Sequence, residues 1–256
     1  MAIFPGSAIP SAVSDYEIDN SLRYNDNDGY LRRTFPSAGN QKTWTWSGWV
    51  KKAKIDAAMY FLATDYSDTD NYMHLNFRAS HATESKNYTG QVAWEIGGTD
   101  RYLRTTRKFR DCGAWMHLCI VLNTPAASAD ERLRWYVNGE EVTDFATNDR
   151  SGIGQNDDLP INRAGVHDIG GWNGSNDTSG YEADVYFIDG TALTPSTFGE
   201  LDSDTNQWKP LDSDDVKDAV TFGTNGFFQK YNSTELADSF ADSAEGNVVT
   251  VYGNTH

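Results

Sequence analysis

Two carboxylates two positions apart, Glu182 and Asp184 in Tyr181-Glu-Ala-Asp-Val-Tyr-Phe-Ile188, are where this chain comes nearest to covalent chemistry. On a β-strand, alternation turns both to one face. Carboxylates roughly 5.5 Å apart cleave glycosidic bonds with retention, one as nucleophile and the other as proton donor. Here the run continues through Tyr186 and Phe187, so the further carboxylate that should complete the set is missing. Without a proton donor the mechanism cannot run. No G-x-S-x-G elbow, P-loop or H-E-x-x-H is present, and Gly152-Ile-Gly154 lacks a third glycine. The five histidines are scattered, and His74 and His117 fall on strand-like runs where a hydrogen-bonded structural role is expected. The expectation is a protein that is not an enzyme.

Binding chemistry is easier to place. A sugar ring packs its C–H face on an aromatic side chain while amides and carboxylates take its hydroxyls. Trp172, Asn173, Asn176 and Asp177 offer that set in one loop, and Tyr66 beside Asp68 and Asp70 offers a second. The competing reading buries Trp172 under its loop as a core residue. For a hard cation the oxygen-rich loops are Asp65, Asp68, Asp70 with Asn71, and Asp202, Asp204 with Asn206. Neither has the glycine and terminal Glu of a twelve-residue calcium loop, and at Asp26-Asn-Asp28-Gly29 the first ligand position holds Tyr24. No cofactor is expected, with calcium at Asp65, Asp68 and Asp70 the one exception the residues allow.

Charge narrows the partners. The chain has 256 residues and a formal net charge of −16. That balance supplies no basic patch for phosphates, so neither a nucleic acid nor an anionic membrane surface is an expected partner. The first ten residues, with Pro5 and Pro10, lack a basic, apolar signal-peptide pattern. Synthesis in a cytoplasm follows as the expectation. Cys112 and Cys119 are the only cysteines, and both are expected to be free.

The elements that must position these residues are strands. Gly occurs 22 times, aromatics make up 13% of the chain, and apolar runs are short. Trp44, Trp46 and Val50 fall on one face of Thr43–Lys51, with Trp49 on the other; Met73, Leu75 and Phe77 alternate with His74 and Asn76; Val92, Trp94 and Ile96 alternate likewise. Residues 115–122 are nearly all apolar, as in a strand covered on both sides. Asn138-Gly139 between Arg132–Val137 and Glu140–Phe145 predicts a type I′ hairpin. Ser21–Tyr24 and Tyr30–Thr34 flank a polar turn and read as another. Thr194-Pro195 predicts a short helical turn to about Leu201. Residues 1–20 read as an extended arm, 21–201 as the sandwich, and 202–256 as an acidic loop with strands that pack back on it.

Several stretches then form an ordered set: Ser21–Leu31, Thr43–Lys51, Phe109–His117, Tyr136-Val-Asn-Gly139, Asp184–Glu200 and Gly223-Thr-Asn-Gly-Phe227. Together they resemble the concanavalin A-like, laminin-G-like modules of structural proteins from marine tailed phages, over roughly residues 21–230. The resemblance implies an all-β jelly-roll sandwich of two antiparallel sheets with short helical turns only. It further implies a virion protein (tail fibre, appendage or decoration) that assembles with other virion proteins, trimerises, and adheres to host-surface polysaccharide. A free-standing lectin is the alternative. A glycoside hydrolase is the weaker one, since the E-x-D-x-x-E or E-x-D-x-E pattern of glucanases with this fold is incomplete here.

Overall fold

The computed structural model describes residues 16–25, 29–64, 70–79, 88–172, 178–231 and 250–252. In chain order the strands are β1 (Leu22–Tyr24), β2 (Tyr30–Phe35), β3 (Thr43–Lys52), β4 (Met59–Thr64), β5 (Met73–Phe77) and β6 (Thr89–Glu95). They continue with β7 (Asp100–Lys108), β8 (Met116–Asn123), β9 (Leu133–Val137), β10 (Glu140–Glu141), β11 (Phe145–Asn148) and β12 (Gly165–Ile169). The last are β13 (Gly180–Asp189), β14 (Gly199–Leu201), β15 (Trp208–Pro210), β16 (Phe227–Gln229) and β17 (Thr250–Tyr252). Two short helices, α1 (Ala129–Arg132) and α2 (Ser213–Ala219), interrupt them.

Among the described residues all pairings are antiparallel, in two large sheets and the separate β14–β15 hairpin. The first runs β1-β13-β3-β8-β9-β10, with β16 sharing the outer edge of β13; the second runs β11-β7-β6-β5-β4-β12-β2-β17. The fold is the expected β-sandwich. Alternation decides which side chains meet between the layers. Trp44, Trp46, Trp135, Leu118 and Ile120 from the first sheet pack with Phe61, Phe77, Leu75 and Trp94 from the second, all fully buried. The outer face of the first sheet is covered as well. Cys119, Val121, Tyr186 and Ile188 pack there against Phe198, Val216 and Phe222 from the 3₁₀ turn, α2 and the chain after it. This second cover explains why β8 and the last residues of β13 are apolar on both faces.

Several turns behave as their residues dictate. Asn138 and Gly139 both have positive φ, 49° and 81°, as a type I′ hairpin requires. The indole of Trp208 packs so closely on Gly139 that a Cβ there would collide with it. The motif residues Asp189 and Asn225 are buried fasteners. Asp189 accepts from the Asn40 N–H (2.8 Å), the Asn162 side chain (2.6 Å) and the Asn225 N–H (3.0 Å). These bonds tie four loop segments together.

Two expectations fail. Ser21–Tyr24 and Tyr30–Thr34 do not form a hairpin: β1 pairs with β13 in one sheet and β2 with β12 in the other. The two strands thus lie in different layers, and Asn, Asp and Gly between two strand-like runs do not by themselves specify a hairpin. The helical turn after Thr194 spans only Pro195–Thr197, because Gly199–Leu201 extends to pair with β15. Both cysteines are free, with Cys119 buried. Among the described residues no helix is long and apolar enough to cross a membrane.

Candidate functional site

Strand alternation sends Met73, Leu75 and Phe77 of β5 into the core, so His74 and Asn76 must face outward. Their neighbours across the sheet follow from register. Tyr60 on β4 opposes Asn76, Asn76 opposes Gln91 on β6, and Gln91 opposes Arg104 on β7. This row of polar side chains is stitched together. The Gln91 amide donates to Asn76 Oδ1 (3.3 Å), while Arg104 Nε (2.5 Å) and Arg78 Nη1 (3.0 Å) both donate to Gln91 Oε1. The Arg104 guanidinium lies 3.5 Å from the centre of the Tyr102 ring.

Aromatic side chains wall the row at one end. After β12 the chain turns at Gly170, whose φ is 74° and whose Cα leaves no room for a Cβ beside the Tyr24 ring. That turn lays Trp172 over the outer face. Its ring centre is 4.6 Å from that of His74, 5.8 Å from Tyr60 and 5.6 Å from Tyr72. The Tyr72 hydroxyl donates to Asp100, which holds that carboxyl below its usual range. Between these walls lies a groove of about 330 Å³ floored by His74, Asn76 and Gln91.

The groove's electrostatics are set by burial. His74 is 5% exposed, and desolvation, aided by the positive charges of Arg78 and Arg104, pulls its pKa down to about 3. The ring is therefore neutral near pH 7. Its Nδ1 has no hydrogen-bond partner among the described residues. A neutral imidazole in a groove offers one donor and one acceptor, the chemistry a sugar hydroxyl matches.

Trp172 is thus half-buried in the groove rather than sealed in the core. Asn173, Asn176, Asp177, Tyr66, Asp65, Asp68, Asp26 and Asp28 lie outside the described residues. Asp70 is exposed, and its carbonyl accepts the Gly97 N–H. No group of three or more His, Cys, Asp or Glu that could hold a metal occurs among the described residues. Asp202 caps its own loop, accepting from the backbone of Asp204 and Thr205, and Lys209 lies 3.5 Å away. Tyr60, Tyr72, His74, Tyr102 and Arg104 were not singled out as site residues by sequence. The one signal was that Tyr72, His74, Asn76 and Arg78 share the non-core face of their strand.

Glu182 and Asp184 do not face one another as a pair. A β-bulge breaks the register of β13 with β3 between Ala183 and Tyr186, and Asp184 takes a φ of 43°. Alternation therefore slips by one. Glu182 accepts from the Tyr24 hydroxyl (3.1 Å), and Asp184 accepts from Tyr16 (3.0 Å) in different surroundings. Burial raises both pKa values, Asp184 to about 6 and Glu182 well above the carboxylate range. Neither residue lines the groove, which lies on the other sheet.

A laminin-G family model described as the concanavalin A-like lectin/glucanases superfamily matches residues 25–197. The chain belongs to this superfamily. This concanavalin A-like sandwich is similar to a candidate carbohydrate-binding protein from Bacteroides ovatus, at 15% identity with a TM-score of 0.54. The match covers 93% of the sandwich chain and 61% of the Bacteroides chain. It is similar also to a tailspike protein of the Escherichia coli bacteriophage CAB120, at 17% identity and a TM-score of 0.48, over 70% of this chain and 23% of the tailspike. A third likeness is to domain 4 of an extracellular arabinanase from Geobacillus stearothermophilus, at 17% identity and 0.45, over 68% and 72% of the two chains. The chain spans less than two thirds of the Bacteroides and tailspike proteins. At these identities the likeness is one of fold. Comparison with curated protein sequences finds no match.

Proposed function

We propose that this sandwich binds glycans in the groove beneath Trp172 and serves as an adhesive structural protein of a tailed-phage virion. The observation that carries the glycan reading is the cluster of Trp172, Tyr60 and Tyr72 around the neutral His74, continued by Asn76 and Gln91. Aromatic faces supply stacking, and the imidazole and amides supply directional bonds to hydroxyls. Support for the virion setting is the ordered motif set across residues 21–230. In that setting the protein meets other virion proteins, forms a homo-oligomer with a trimer favoured, and touches host-surface polysaccharide. It works by adhesion without covalent chemistry. The groove lining contains no carboxylate among the described residues.

A glycan array probed with the purified protein tests this reading. Trp172→Ala is expected to weaken binding by about 2 kcal/mol, roughly thirtyfold, as for a stacking anchor. Binding that survives the substitution unchanged would sink it. The same array read with and without EDTA tests calcium at Asp65, Asp68 and Asp70, and imaging of intact particles tests the virion location. Reducing-sugar release abolished by Glu182→Gln would favour a hydrolase; none is expected.

A further inference from the structure

The outer face of the first sheet, opposite the groove, has an opening of its own. Trp49 on β3, Ala183 on β13, Trp115 just before β8 and Pro210 at the end of β15 form one side; residues 16–21, leading into β1, form the other. They enclose about 480 Å³, within the roughly 300–1,000 Å³ of small-molecule sites. Trp115 is 38% exposed, a large apolar side chain left open beside a built cavity.

Charge separates this pocket from the groove. The groove is lined by Arg78 and Arg104 and by no carboxylate among the described residues; the pocket is lined by Glu17 and Asp19 and by no Lys or Arg among them. The neighbouring Tyr181 and the pocket's own Tyr16 already hold cations of the protein itself. Arg23 and Lys51 lie 5.9 and 5.8 Å from the centre of Tyr181, and Lys230 lies 5.8 Å from that of Tyr16. Among the described residues none lies over Trp49 or Trp115, although indole is the strongest ring acceptor for a cation. Aromatic faces stabilise a positive charge through their quadrupole, and an acidic rim adds a Coulombic attraction that a neutral ligand would not feel.

We infer that this pocket is a second binding site, taking a small organic cation of the alkyl- or quaternary-ammonium class against Trp49 and Trp115. It does not depend on the glycan reading of the groove.

Choline is the probe, with its neutral carbon isostere, dimethylbutanol, as the control of equal shape. The indole N–H resonances of Trp49 and Trp115 are assigned from single Trp→Phe variants and followed through each titration. Choline is expected to shift both signals, with the isostere binding roughly tenfold more weakly because it lacks the charge. Glu17→Gln combined with Asp19→Asn should weaken choline by a similar factor, roughly tenfold. Trp115→Ala, at an exposed position, should keep its thermal midpoint and lose binding, while Trp172→Ala should bind choline normally. Equal affinity for choline and the isostere would reduce the pocket to an apolar cleft and overturn the inference. So would an absence of shifts at these two indoles, or shifts produced by N-acetylglucosamine and not by choline.

Discussion

Two tryptophans lie over two buried histidines, one pair on each outer face of the sandwich, and they have opposite consequences. On the first sheet Trp208 stacks on His117 with ring centres 5.9 Å apart, Trp49 tilts against it at 5.4 Å, and His117 Nε2 shares a hydrogen bond with Ser47 (2.8 Å). The β14–β15 hairpin and α2 cover that face, so the histidine is part of a second core. On the other sheet Trp172 lies over His74, no such layer follows among the described residues, and the imidazole faces a groove. Burial pulls both histidines down to about 3. The difference is therefore one of cover rather than of ionisation. A polar strand face becomes a site when the segment that returns over it walls it without sealing it.

Removing each tryptophan is the most direct way to break this contrast. Trp208 packs against Gly139, Gly199 and His117. Trp208→Ala should cost about 3 kcal/mol of stability, lowering the melting temperature by on the order of 10 °C, while leaving glycan binding intact. Trp172→Ala should do the reverse, with a stability loss of about 1 kcal/mol and the binding loss given above. If both variants lost stability and both kept binding, Trp172 would be only a second roof.

A smaller effect compares how the faces keep titratable groups neutral. Burial raises Asp184 to about 6, so its carboxyl stays protonated only below about that pH, whereas the fall to about 3 leaves His74 neutral above it. Below its unfolded value of 3.8 the Asp184 carboxyl is protonated in both states, and its contribution is fully present. As pH rises toward about 6, the unfolded chain ionises first and stability is lost; above that the loss is constant. Asp184→Asn removes this loss while Tyr16 can still donate to the amide oxygen. The variant should gain about 2 kcal/mol over the parent at neutral pH and nothing in acid, read as melting temperatures across pH. A difference independent of pH would show that burial does not raise the Asp184 carboxyl.

Much of the core was legible because period-two alternation is a local signal: Trp44, Trp46, Trp135, Leu75 and Trp94 are buried as their spacing requires. Asn138-Gly139 was legible for the same reason, since two adjacent positive φ values have few residue solutions. What could not be read depends on partners distant in the chain. Tyr24 and Tyr30 flank an ordinary turn, and only pairing with β13 and β12 shows that the chain crosses between sheets there. The bulge at Asp184 reverses the face of a carboxylate with no glycine to announce it. His74 was expected as a hydrogen-bonded structural residue, and it and Asn76 are buried. Trp172, far along the sequence, folds back over His74, and no local pattern in β5 announces that contact.

The smallest expected effect is a flat line. Arg78, Arg104 and Asp100 are the charges that act on His74, and the two cations join desolvation in disfavouring a third positive charge. With its pKa near 3, the ring donates and accepts in the same way across the ordinary range. Glycan affinity should therefore change less than about twofold between roughly pH 5 and pH 8. Stability will not be flat over that span. The unfolded histidine gains its proton below 6.5 and the folded one does not, so this contribution is full above 6.5 and lost as pH falls toward about 3. Affinity measured on protein that is still folded separates the two effects. If affinity itself dropped in step with an ordinary histidine titration, His74 would be taking up a proton beneath Trp172. The groove would then be wetter than its walls imply, and the contrast with the sealed face would grow sharper.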